Sequence, residues 1–123
     1  MSTAFQGLRT VVYMVDDLKA ATDWYKDILG QEPYYDTEYY VGFNVGGYEF
    51  GLHPQKEPME KAVNVYAYWG VEDAQKMYEH LLSKGATELE KPMDLGEGIV
   101  LATVKDPWGN ALGVICNPHF KLP

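Results

Sequence analysis

The sequence predicts an α+β fold of two tandem βαβββ modules in a single domain over residues 1–123. Three observations lead there. Val15-Asp16-Asp17-Leu18 closes one apolar β-type run and opens a helix-like stretch that stops at Gly30. Val71-Glu72-Asp73-Ala74 closes a second such run, begun at Val63, and opens another helix-like stretch that stops at Gly85. After each helical stretch come three segments of strand character. Strand-rich units with one short helix each suggest a curved, mostly antiparallel sheet. A ferredoxin-like sandwich needs fewer strands per half and fits less well.

Module one occupies about residues 5–54. Leu8 to Val15 is rich in β-branched residues and reads as a strand. Asp17 is placed to cap a helix on which Ala21, Trp24, Tyr25 and Ile28 recur at helical spacing, with Gly30 at the left-handed C-terminal position. Segments 34–36, 39–45 and 48–53 follow as strands, the last two joined by Gly46-Gly47, a tight-turn signal. A linker is expected at about 55–62, where Pro54, Lys56, Glu57 and Pro58 interrupt the pattern. Module two covers about 63–117. Its strand runs from Val63 to Val71, and Asp73 caps a helix with Ala74, Met77, Tyr78, Leu81 and Leu82 inward. Strands at about 87–91, 98–105 and 110–116 complete it.

Composition limits the function. The formal charge is −8, from 18 acidic and 10 basic residues, and nucleic-acid binding needs a basic footprint against the phosphates. Anionic membrane surfaces are disfavoured for the same reason, and no apolar run is long enough to span a bilayer. The N-terminus has no basic region followed by a long apolar stretch, so no secretory signal is expected. Cys116 is the only cysteine and has no internal partner for a disulfide. A reducing cytoplasm is the expected location. Ten tyrosines stand out, with Tyr34, Tyr35, Tyr39 and Tyr40 crowding one stretch and Tyr66 and Tyr68 another. Tyrosine joins an apolar body to a polar tip and suits pockets as well as core edges.

Near the C-terminus, Asp106-Pro107-Trp108-Gly109-Asn110 reads as a hairpin turn between two strands. Together with Val15-Asp16-Asp17-Leu18, Trp24-Tyr25 and Leu29-Gly30, this turn makes the chain resemble the vicinal oxygen chelate superfamily from about residue 8 to residue 117. That superfamily includes glyoxalase I, extradiol dioxygenases, methylmalonyl-CoA epimerase and the bleomycin and fosfomycin resistance proteins. The resemblance implies two βαβββ modules forming a curved mixed sheet around a cavity, usually within a homodimer. In metal-dependent members, four side chains reach into that cavity. The corresponding places here are Thr10, a position near Gly51, Tyr66 and Gly113. A divalent ion needs imidazole or carboxylate lone pairs. A hydroxyl, a phenol and two glycines are a poor set, so no metal and no cofactor is expected.

Period-two alternation puts side chains of one strand face together. If Gly51 faces the cavity, so do Glu49 and His53, while Tyr48, Phe50 and Leu52 pack beneath the helix. Thr10, Val12 and Met14 share the inward face of the first strand, and Tyr66 and Tyr68 that of the fifth. The expected ligand-binding set is therefore Thr10, Val12, Met14, Glu49, Gly51, His53, Tyr66, Tyr68, Gly113 and, in the late hairpin, Trp108. Trp108 is placed either to lid the cavity or to pack at a dimer contact. Such a pocket suits a small organic ligand, aromatic or cationic. His53 and Glu49 are candidates for an acid–base pair, with a solvent-facing histidine and a rim carboxylate as the simpler reading. His80 and His119 read as surface residues, and Cys116 as a small core residue.

Three functions are compatible with this pattern. The first is a small-molecule binding protein of the bleomycin-resistance type without the divalent centre. The second is a glyoxalase- or dioxygenase-like lyase or isomerase that uses a displaced metal or the His53/Glu49 pair. The third is a structural or regulatory module whose cavity is filled by its own side chains.

Overall fold

In the computed structural model, which describes residues 3–4, 6–62 and 65–120, each half of the chain folds as strand, helix and three strands. Module one contains β1 (Thr10–Val15), α1 (Leu18–Leu29), β2 (Tyr35–Asp36), β3 (Val41–Val45) and β4 (Tyr48–Pro54). Module two contains β5 (Tyr68–Gly70), α2 (Ala74–Ser83), β6 (Thr87–Gly96), β7 (Ile99–Lys105) and β8 (Ala111–Cys116). The sheets are mixed and ordered alike, β1-β4-β3-β2 and β5-β8-β7-β6. In each, the first and last strands pair in parallel and the other pairs are antiparallel. The chain divides into two compact units, Met1–Glu57 and Pro58–Pro123, a division that falls within the 55–62 stretch.

Both helices begin as their sequences dictate. The Asp17 and Asp73 carboxylates accept the backbone N–H of Ala20 and Lys76, each at 3.0 Å, from extended backbone. Each satisfies a donor that the first helical turn leaves unpaired. Gly30 ends α1 at φ 68°, its N–H reaching the Lys26 carbonyl at 2.9 Å. After α2, Gly85 takes φ 105°. There the N–H groups of Gly85 and Ala86 return to the carbonyls of Leu82 and Leu81, a Schellman closure.

In module one the core is aromatic. Tyr25 of α1 lies 4.8 Å from Phe50 and 6.3 Å from Tyr13, ring centre to ring centre, and Tyr13 meets Phe50 edge-on at 5.2 Å. Such pairs add about 0.5–1.5 kcal/mol each beyond area burial. Val15, Val41, Phe43 and Leu52 complete the layer. Module two is aliphatic by contrast: Ala74, Tyr78 and Leu81 of α2 join the buried Ala102, Val104, Leu112 and Val114 of β7 and β8.

Several expectations change in detail. Trp24 is only half-buried, because Ala21, Thr22 and Tyr25 take the buried face of α1. Tyr48 is 47% exposed rather than beneath the helix. It pairs with Val45 across the Gly46-Gly47 turn, at the extreme end of the hairpin. The strand expected from Val63 is shorter: residues 63–64 lie outside the described ones, and 65–67 are not in strand. β6 runs five residues further than expected, carrying Pro92 through register shifts that relieve the missing donor.

Candidate functional site

Each sheet has one face against its helix and one open face, and the open faces carry the candidate residues. In module one, Tyr13, Val15, Phe50 and Leu52 are buried on the helix side, so alternation sends Thr10, Val12, Met14, Glu49, Gly51 and His53 to the other. Register brings them together in pairs: Thr10 opposite Glu49, Val12 opposite Gly51 and Met14 opposite His53. Thr10 and His53 are exposed, Met14 and Glu49 half-buried and Gly51 buried.

What buries Gly51 is Tyr40. A Cβ at residue 51 would lie 2.6 Å from the ring carbon Cζ of Tyr40 and closer still to its hydroxyl. Gly42 sits opposite Gly51 on β3, and a Cβ there would meet the Glu49 carboxylate at 2.7 Å and the Tyr40 and Tyr34 rings at 3.2 and 3.3 Å. Two facing glycines thus make a bare floor on which a ring and a carboxylate lie. Tyr34 Oη donates to Glu49 Oε1 at 2.5 Å, and Tyr40 Oη donates to Oε2 at 2.6 Å. Charge-assisted O–H···O⁻ bonds have this length. The bond to Glu49 is the main cause that raises the Tyr34 pKa, and burial, followed by its own bond to Glu49, raises that of Tyr40.

Glu49 and His53 are not brought together. Four strand positions separate them by about 13 Å, both Glu49 oxygens accept phenols, and His53 Nδ1 lies 2.9 Å from the Pro54 carbonyl.

Module two repeats the arrangement with other donors. Register lines up Glu90 on β6, Thr103 on β7, Gly113 on β8 and Tyr68 on β5 in one row across the sheet. The Tyr68 ring lies over Gly113, where a Cβ would be 2.7 Å from ring carbon Cδ1 and 2.7 Å from the Ala67 carbonyl oxygen. Tyr68 Oη donates to Glu90 Oε1 at 3.0 Å, and the fully buried Thr103 hydroxyl donates to the same oxygen at 2.7 Å. Burial is the leading cause that raises the Tyr68 pKa. Tyr66 is half-buried and lies just before β5. Beside Tyr68, Gly70, Val71, Glu72, Ile115 and Phe120 line a half-open groove of ≈ 420 Å³. Trp108 is half-buried in the hairpin turn, where its carbonyl accepts Lys61 Nζ at 3.1 Å. That turn is fixed by Asp106, whose Oδ1 accepts the N–H of Trp108 and of Asn110 at 2.9 and 2.8 Å.

Tyr34, Tyr40, Glu90 and Thr103 were not among the residues sequence reasoning selected. Tyr34 and Tyr40 were visible only as part of a tyrosine cluster. Thr103 carried a usable signal, a lone hydroxyl inside the apolar run Ile99–Val104. Glu90 becomes meaningful only through the β6–β7 register.

The two glycines also test the metal centre that the fold family implies. Gly51 lies opposite Val12, two residues past Thr10, and Gly113 lies opposite Tyr68, two residues past Tyr66. The four stations therefore occupy matching places in the two modules. At both glycines a tyrosine ring stands where a ligating side chain would project. The residues present do not fit a divalent ion there, and among the described residues no three His, Cys, Asp or Glu side chains group together.

Paired βαβββ modules whose first and last strands pair in parallel define a vicinal-oxygen-chelate type of domain. The chain belongs to the Glyoxalase/Bleomycin resistance protein/Dioxygenase superfamily, whose pattern it matches over residues 7–114. Among solved structures, its fold is similar to that of a glyoxalase-related enzyme from Fulvimarina pelagi, with a TM-score of 0.78 at 15% identity, covering 97% of this chain and 94% of that one. It is also similar to lactoylglutathione lyase from Agrobacterium tumefaciens, with a TM-score of 0.73 at 16% identity over 96% and 100% of the two chains. A glyoxalase/bleomycin resistance protein from Catenulispora Acidiphila DSM 44928 gives 0.67 at 23% identity over 91% and 100%. No curated protein matches the sequence. No helix among the described residues is long and apolar enough to cross a membrane.

Proposed function

We propose that this chain is a small-molecule binding protein of the bleomycin-resistance type, which holds an organic ligand against tyrosine-bearing sheet faces without a divalent ion. One observation carries this reading. At both glycine stations the space for a chelating side chain is taken by a tyrosine ring whose hydroxyl is donated to a glutamate. An aromatic surface with a few fixed polar groups is the usual chemistry of small-molecule recognition. The ligand is aromatic or cationic, in keeping with a net charge of −8, and the working form is a cytoplasmic homodimer. An acid–base enzyme built on His53 and Glu49 is disfavoured by their separation and by the two phenols on Glu49.

Elemental analysis of protein purified without chelator should find no stoichiometric Zn, Ni, Mn or Fe. Titration with a panel of planar aromatic compounds, charged and neutral, should change tryptophan fluorescence saturably. A stoichiometric metal, or a flat titration with every compound, would overturn the proposal.

A further inference from the structure

We infer that Glu49, with the rings of Tyr34, Tyr35 and Tyr40, forms a recognition site for a substituted ammonium group on the open face of module one. This rests on the binding function proposed above and names the chemistry of its ligand.

The argument begins with an unbalanced charge. Glu49 is half-buried, and its hydrogen-bond partners are two neutral phenols. Among the described residues no lysine, arginine or histidine forms an ion pair with it. Arg9, whose carbonyl accepts the Glu49 N–H across the ladder, turns its guanidinium onto the Gln6 and Leu8 carbonyls. His53 shares the open face but is turned to the Pro54 carbonyl. Both phenol pKa values are raised, so the hydroxyls keep their protons at neutral pH. The cluster therefore carries a carboxylate with no counterion among the described residues. A partly desolvated, unpaired carboxylate is costly, and a cation brought from outside recovers part of that cost.

The surrounding geometry favours an ammonium over a metal ion. The Tyr34 and Tyr40 ring edges converge over Gly42, and the Tyr35 ring lies 6.2 Å from that of Tyr40, tilted by 51°. Tyr35 shares the Gly42 position in the ladder, so its ring borders the same floor. Cation–π attraction acts over a ring face, within about 6 Å of its centre. A carboxylate offers roughly four lone-pair directions, and the phenols use two. An alkylammonium head is large enough to touch several rings and the remaining carboxylate edge together. Tyr34 and Tyr35 are 64% and 51% exposed, which leaves the box open to solvent.

The test compares phenyltrimethylammonium with its uncharged isostere tert-butylbenzene on the intact chain, read by NMR shifts of tyrosine ring protons. The cation should bind at least tenfold more tightly, and high salt should weaken it. Glu49→Gln should reduce cation affinity about tenfold and leave the isostere unchanged, a difference of about 1.4 kcal/mol. Should Glu49→Gln fail to fold, Tyr35→Leu carries the test, with a loss of roughly two- to fivefold for the cation alone. Equal binding of the two probes, or a cation affinity indifferent to both substitutions, overturns this inference while leaving the wider binding function standing. That function fails on the separate grounds of a stoichiometric metal or a flat response to the whole compound panel.

Discussion

Replacing Gly51 by alanine puts a Cβ 2.6 Å from the Tyr40 ring carbon Cζ, and the three nearest obstacles all belong to the far end of that one side chain. The backbone is untouched, so the ring swings aside and its bond to Glu49 is lost. A hydrogen bond to a charged group contributes about 1.5–3 kcal/mol, and Gly→Ala returns about 0.4–1 kcal/mol by restricting the unfolded chain. The net loss should be about 1–2 kcal/mol. Gly113→Ala is a different case. Its Cβ would strike the Ala67 carbonyl oxygen at 2.7 Å, and that carbonyl already accepts the Gly113 N–H at 2.9 Å. Tyr68 Cδ1 lies at the root of its ring and cannot clear the space by turning, so β5 must shift bodily. Overpacking of this kind costs about 1–3 kcal/mol, occasionally more, in addition to the Tyr68–Glu90 bond. Denaturant midpoints should rank wild type above Gly51→Ala above Gly113→Ala. In a Tyr40→Ala background, Gly51→Ala should become neutral or mildly stabilising, because the obstacle is gone. A Gly51→Ala cost independent of Tyr40, or one exceeding that of Gly113→Ala, would refute the packing argument.

Other substitutions probe separate links. Asp17→Ala and Asp73→Ala each remove a side-chain cap and should cost about 1 kcal/mol, measured by chemical denaturation. Thr103→Val keeps the shape of a fully buried side chain but removes its bond to Glu90. It should cost about 1.5–3 kcal/mol, and a neutral result would show that the bond contributes nothing. The Tyr78 hydroxyl is bonded to Glu88, and that bond chiefly pushes its pKa from the ordinary 10.0 up to about 12. Between those values the folded state holds the extra proton. The bond's contribution is therefore complete below pH 10.0 and is lost as pH climbs through about 12. Glu88→Gln should move one phenolate transition in the ultraviolet spectrum to lower pH; an unchanged titration would contradict the assignment.

How much of this was legible in the sequence depended on range. Asp17, Gly30 and Asp73 act within a turn of their own position, and the Gly46-Gly47 turn requires two successive positive φ angles, here 62° and 92°. Residues of that kind declare their role locally. The open face of module one was also legible, because alternation along β1 and β4 fixes it once Tyr13 and Phe50 are known to face the helix. Tyr68 was legible as an inward-facing residue, but that tyrosine rings cover Gly51 and Gly113 was not. Tyr40 reaches Gly51 from the loop before β3, and Glu90 reaches Tyr68 across three intervening ladder pairings, so neither contact has a spacing to read. The glycines read only as missing ligands, while the structure shows them as the beds of two rings. Pro92 hid the length of β6 for a similar reason, since a register shift is a property of two strands.

The parallel pairing of first and last strands decides how two modules can follow one another in a single chain. Because β1 and β4 run side by side in the same direction, the chain comes into a module at one tip of its sheet and departs from the opposite tip. A second copy can then be appended through a short connector with no strand rerouted. The two modules nevertheless cover their glycine stations from different places, Tyr40 from the loop before β3 and Tyr68 from the edge strand β5.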